Sequence, residues 1–310
     1  MSHHPIIPQA AQLFEPVEDG YGTRLALVFG NEAAGGRCPF YGRQCYHCDI
    51  GAGEGVRFDT AMNTERLAYY RSHYVSVLPR TTHLVLYNSG SVLNPRELAP
   101  SSLQSILGYA ATLAQCRVVS LDSREAYITA ARLDFVLANL RSDQQARPIL
   151  GLETQDDGVR LNLLNKRILR VNVEAAFHAA SQYRSRVGMD VNIVCGLPPF
   201  RGRAAIAESE ATASYALELA ARYKISVDLN LHPYYPSRIG RQHFPEHPRA
   251  NLDDALEAAG RIRRAVEAAG VDSKVFIGWQ DEDHDQQREM RGAELNEYRP
   301  QLERFNTQTR

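Results

Sequence analysis

Short apolar runs alternate with longer amphipathic stretches along most of the chain. Leu25–Phe29, His83–Tyr87, Val118–Leu121, Ile149–Glu153, Asp190–Cys195 and Ile225–His232 have the length and flanks of strands, and Lys274–Gly278 is a weaker seventh. Between them, residues 63–78, 95–114, 124–140, 173–187, 207–223 and 252–269 place apolar side chains at helical spacing; Leu67, Tyr70, Tyr74 and Val77 share one face of the first. Pro95 suits the first turn of the second helix, and Asn172 suits the N-cap of the fourth. Strand–helix alternation of this kind builds a parallel sheet with helices outside it. The pattern predicts an α/β fold, a partial (β/α)6 TIM-like barrel, with a doubly wound sheet as runner-up. Residues 1–20 read as a Pro-rich leader on the surface and 21–250 as the barrel. Residues 251–310 read as a helix, an extra strand and a tail closing the barrel mouth.

Alternation inside the strands sorts side chains by face. Ile225, Val227, Leu229 and Leu231 oppose Ser226, Asp228, Asn230 and His232; Val191, Ile193 and Cys195 oppose Asp190 and Asn192. The apolar faces should meet the helices. Asp228, Asn230 and His232 should then face the lumen, where they are candidate catalytic residues on the substrate side. The same residues could instead form an internally satisfied polar network. Cys195 falls with the helix-facing set, as a buried small hydrophobe.

Composition narrows the classes. The 310 residues are 44% hydrophobic with a formal net charge of −1, so no global basic field favours nucleic acid or an anionic membrane. No apolar run has the length of a membrane helix, and the first twenty residues lack a secretory pattern. Five cysteines, three of them in one loop, argue against a disulfide framework and for a reducing cytoplasm.

That loop is Arg37-Cys-Pro-Phe-Tyr-Gly-Arg-Gln-Cys-Tyr-His-Cys-Asp49. Pro39 and Gly42 keep its first part non-helical. Structural zinc sites take four ligands, usually from two such knuckles, and no second knuckle follows. Three thiols on one loop suit an iron–sulfur cluster with one iron left open; a zinc knuckle completed by His47 or a distant residue is the alternative. The glycines of 30–36 lack the Gly-Lys-Ser/Thr ending of a phosphate loop. The acidic run Trp279–Asp285 suits either a cationic substrate group or a solvated turn.

The cysteine loop resembles the cluster loop of the radical S-adenosylmethionine (SAM) superfamily, with a longer first interval than usual. Ser120-Leu-Asp-Ser-Arg-Glu-Ala-Tyr127, Gly151-Leu-Glu-Thr154, Asp156–Arg160, Leu164-Asn-Lys166 and Gly196-Leu-Pro-Pro-Phe200 are similar, in order, to runs of its elongator-catalytic-subunit and archaeosine-synthase branch. Asp122 stands for a glutamate, Thr154 for a serine and Arg167 for a glycine of that pattern. The resemblance implies a barrel of the radical SAM type. It implies a [4Fe–4S] cluster on Cys38, Cys45 and Cys48, with SAM on the open iron. It places SAM against His47, Asn88, Ser89, Gly90, Ser91, Asp122, Glu153 and Lys166, with free backbone N–H groups in the 88–91 turn. The implied activity is reductive cleavage of SAM to a 5′-deoxyadenosyl radical that abstracts hydrogen from a substrate. A flavodoxin or ferredoxin would supply the electron. With no basic footprint, a small amine-bearing metabolite is the expected substrate. A transfer-RNA nucleoside and a non-enzymatic zinc-stabilised module are the alternatives.

Overall fold

The computed structural model describes residues 13–53, 55–278 and 293–308, and of residues 293–296 the backbone alone. Eight strands form one sheet in sequence order: β1 Val17–Asp19, β2 Gly22–Phe29, β3 His83–Asn88, β4 Val118–Ser123, β5 Gln145–Glu153, β6 Met189–Cys195, β7 Val227–Pro233 and β8 Val275–Ile277. β1 runs antiparallel to β2; every later pair is parallel. The helices are α1 Thr60–His73, α2 Pro100–Thr112, α3 Ala130–Ala138, α4 Arg170–Ser181, α5 Arg203–Tyr223, α6 Arg238–His243, α7 Leu252–Ala269 and α8 Ala293–Thr307. The result is a nearly closed α/β barrel of eight strands, two more than a (β/α)6 barrel has.

All seven expected strands are present; β1 is the addition. Val17-Glu-Asp19 carries no apolar alternation, yet it pairs with Gly22–Arg24 through a tight turn. Leu13 bridges Leu27, and Phe14 is buried against Ala26, Val28, Val85 and Ile149. Residues 13–19 are therefore part of the barrel wall and not a surface leader. At the other edge, Asn306 of α8 accepts from the Ile277 backbone N–H at 2.8 Å and donates to its carbonyl at 3.0 Å. Arg24 lies over the Phe276 ring at 4.3 Å. The described C-terminal helix thus covers the open flank of β8 at the side of the barrel, not at its mouth. The acidic run 279–285 lies outside the described residues.

Helix starts follow the caps. Asp59 accepts from Met62 N to open α1, and Thr129 accepts from Arg132 N to open α3. Pro100, not Pro95, takes the first turn of α2. α4 begins at Arg170, so Asn172 lies within its first turn and is not the N-cap.

The two faces separate as the alternation requires. Leu25, Leu27, Leu84, Leu86, Val191, Ile193, Leu229 and Leu231 pack in one core with the helices. Cys195 belongs to that core, fully buried, beside Ser209 of α5. Cys195→Ala should therefore cost about 1 kcal/mol, the scale of one small buried group; a denaturation midpoint showing a several-fold larger loss would mean that the thiol does more than fill the core.

The lumen-facing polar residues split between two ends. Near the amino ends of the strands, Arg147 donates to Asp190 at 2.5 Å and lies 3.0 Å from Asp228. Tyr21 Oη donates to Asp228 at 2.5 Å, and Ser120 donates to Asp190 at 2.6 Å. His83 joins Ser120 at 2.8 Å to Asp19 at 2.6 Å. This chain of partners crosses most of the barrel floor beside a cavity of about 220 Å³. Asp228 is thus a floor residue, paired at the end away from the cysteine loop and lining that cavity together with Asn230. Asn230 donates to Asn192 at 3.2 Å in mid-lumen. His232 lies higher, against Gly278, where a side-chain carbon would come within 2.4 Å of its ring.

Candidate active site at the barrel mouth

The cysteine loop leaves the carboxyl end of β2 and is fastened across the mouth. Cys38 N donates to Gly51 O at 2.9 Å, which closes the loop on itself. Gly53 permits this: its φ is +64°, and a side-chain carbon there would sit 2.1 Å from Gly36 O. Cys45 N and Tyr46 N donate to Asn165 O and Leu164 O at 3.3 and 2.9 Å, and Asn165 Nδ2 returns a bond to Arg43 O at 2.9 Å. From the far side, the first backbone N–H groups of α6 hold Asp49, and His243 stacks on Tyr46 with ring centroids 3.7 Å apart.

Cys38, Cys45 and Cys48 are all free thiols, each half-buried. Burial, with Glu97 and Cys45 nearby, pushes the Cys38 thiol up to about 11. Burial, with Cys45 and Cys38, pushes Cys48 up to about 12. Among the described residues no three Cys, His, Asp or Glu side chains are arranged around a single metal ion.

Beneath the loop, the ends of β3, β4 and β5 supply the polar groups expected there. Glu153 ends β5 with φ +66° and pairs with Lys166; His47 Nε2 lies 3.8 Å from the same carboxylate oxygen. Burial alone would raise the Glu153 carboxyl, but Lys166 and His47 outweigh it and hold it down at about 2. Burial also lowers His47, whose Nδ1 has no hydrogen-bond partner among the described residues. Lys166 is raised because Glu153 overcomes its burial. Arg167 takes a left-handed φ of +55°, a conformation that favours glycine.

The 88–91 turn differs from expectation. Gly90 N donates to Asn88 O at 2.7 Å, and Ser91 N donates to Glu97 Oε2 at 2.9 Å, so the amides of 90 and 91 are already taken. Asn31 Nδ2 occupies the Ser89 carbonyl at 2.6 Å. Gly90, at φ +157°, is required: a side-chain carbon would lie 1.7 Å from Glu97 Oε2. An acceptor remains, because the fully buried Asn88 has an Oδ1 with no partner among the described residues. That oxygen is an acceptor, able to take a hydrogen bond from a donor such as an amine.

Asp122 is half-buried at the end of β4. Burial, with Glu153 and Glu97 nearby, raises its carboxyl to about 7 against the pull of Lys166. A raised folded-state value means the ionised form is disfavoured in the fold. The penalty is absent below the unfolded value near 3.8, grows above it and is complete above about 7. Asp122→Asn should therefore stabilise the ligand-free chain by about 1–2 kcal/mol at pH 8, after allowance for water at the mouth. It should give no gain at pH 3. Unfolding curves at the two pH values test this, and equal effects at both would refute it.

Three contributors were not singled out from the sequence. Glu97 and Asn31 look like ordinary loop residues until the fold buries them under the 88–91 turn. Arg124 lies inside a quoted motif, and its guanidinium reaches the cysteine loop. No helix among the described residues is long and apolar enough to cross a membrane. Neither the protein-family models nor the curated proteins searched give a match to this chain.

Proposed function

We propose that the chain is a radical SAM enzyme, with Cys38, Cys45 and Cys48 holding a [4Fe–4S] cluster and SAM seated over the mouth of the barrel. The observation that carries this reading is the joint placement of three neighbouring free thiols and two buried, unpartnered polar atoms, His47 Nδ1 and Asn88 Oδ1, at one end of an α/β barrel. The donor chemistry fits a cluster: three thiols on one loop leave one iron to be completed by a ligand. A closed zinc site needs a fourth N or S ligand, and no second knuckle follows in the sequence.

When bound, the cluster and SAM supply one-electron cleavage of a carbon–sulfur bond and a carbon radical able to take hydrogen from a substrate. The chain's own residues bind and aim. Asn88 Oδ1 accepts from the methionine amine. The Glu153–Lys166 pair fixes charge at the end of β5, with His47 against it, beside the adenosine part. Asp122 accepts from the ribose when ionised and donates when protonated. The loop bonds from Cys45 and Tyr46 to 164–165, with α6 over Asp49, fix the thiols across the mouth. The Arg147 network engages the polar groups of the barrel floor, which leaves His232, higher in the lumen, as the substrate-side residue nearer the mouth. A small metabolite is the substrate this reading favours, since a net charge of −1 leaves no basic footprint for nucleic acid. An acidic flavodoxin or ferredoxin would be the donor.

The test is anaerobic incubation of the iron- and sulfide-reconstituted protein with SAM and dithionite. Release of methionine and 5′-deoxyadenosine is expected. A loaded protein that leaves SAM intact would overturn the reading.

A further inference from the structure

Arg124 follows β4, and its side chain meets three parts of the mouth at once. Nη1 lies 3.7 Å from Cys45 Sγ, within hydrogen-bond reach of a sulfur. Nη2 donates to the Lys166 carbonyl at 2.7 Å, and the guanidinium plane lies 4.1 Å over the Phe40 ring. Its own backbone N–H donates to Ser91 Oγ at 3.1 Å, which ties it to the 88–91 turn. Glu125 is the nearest carboxylate, 3.6 Å from Nε. The fork is therefore held on both sides, by a carbonyl and by a ring, with one N–H aimed at sulfur.

We infer that Arg124 is a positioning residue that donates a hydrogen bond to the Cys45 thiolate and sets the reduction potential of the cluster that Cys45 helps hold. This rests on the radical SAM reading. Adding an electron to a thiolate-bound cluster makes its charge more negative. A fixed cation beside one sulfur stabilises the reduced state more than the oxidised one. A guanidinium serves here better than an ammonium, because one planar fork can bond the sulfur and the carbonyl together and still stack on Phe40.

The test is a reductive titration followed by electron paramagnetic resonance, on anaerobically reconstituted wild type, Arg124→Lys and Arg124→Gln. Iron and sulfide contents are measured on the same samples. The expected order of midpoint potentials is wild type least negative, Arg124→Lys intermediate and Arg124→Gln most negative, with full cluster content in at least the lysine variant. A merely structural role would lower cluster content without moving the potential of the clusters that remain. Variants titrating at the wild-type potential would overturn the inference while leaving the radical SAM reading intact. A wild-type chain that takes up neither iron nor sulfide would contradict that reading, and this inference with it.

Discussion

Cys45→Ala should yield a folded protein that no longer assembles its cluster or cleaves SAM. Cys45 is the central thiol of the three. It sits at a left-handed φ of +55°, its N–H is bonded to Asn165 O, and its sulfur is beside Arg124. The remaining thiols, Cys116 and Cys195, are buried in the helix-side core and cannot replace it. Cys38→Ala and Cys48→Ala should behave alike, and Cys116→Ala should keep both cluster and activity. The readouts are cluster absorbance, iron content and 5′-deoxyadenosine release. Intact absorbance and turnover in Cys45→Ala would refute the assignment.

The largest effect on stability should come from the barrel floor. Arg147 is 1% exposed and stands between two buried carboxylates, Asp190 and Asp228. Its burial works against the charge, but Asp228 and Asp190 more than offset this and raise its pKa. It also donates to Met189 O at 2.7 Å and to Ser226 Oγ at 3.0 Å. Arg147→Met removes the only guanidinium bonded to either carboxylate among the described contacts and leaves two like charges facing one another. Breaking a buried pair from one side costs about 3–5 kcal/mol. The triple change Arg147→Met, Asp190→Asn, Asp228→Asn should recover much of that loss. Denaturation midpoints of the ligand-free chains measure both. A single variant as stable as wild type would mean that the floor network is not under strain from its carboxylates.

Strand positions were legible because each parallel strand from β2 to β8 carries a short apolar run with strand-like length and flanks. β1 was not, because Val17-Glu-Asp19 owes its conformation to a turn and to pairing with β2. Side-chain parity correctly separated Cys195 from Asp190 and Asn192, since a period of two needs no knowledge of the neighbours. Parity is silent on height along the barrel, which depends on register between strands. That is why Asp228, opposite Asp190, proved to be a floor residue while His232 lies above it. The amides of the 88–91 turn looked free because their partners, Glu97 and Asn88 O, become partners only once the turn is folded. Arg124 carried no signal of its own, as an arginine before a helix ordinarily faces solvent. Only the return of the 40s loop across β4 brings Phe40 and Cys45 to it.

The most direct test of the central claim is the metal and sulfide content of anaerobically reconstituted protein, read with the paramagnetic spectrum of the reduced sample before and after SAM is added. The account predicts iron and acid-labile sulfide in equal amounts, about four of each per chain, and a spectrum that changes when SAM occupies the open iron. Zinc in place of iron and sulfide, or a cluster spectrum indifferent to SAM, would contradict it.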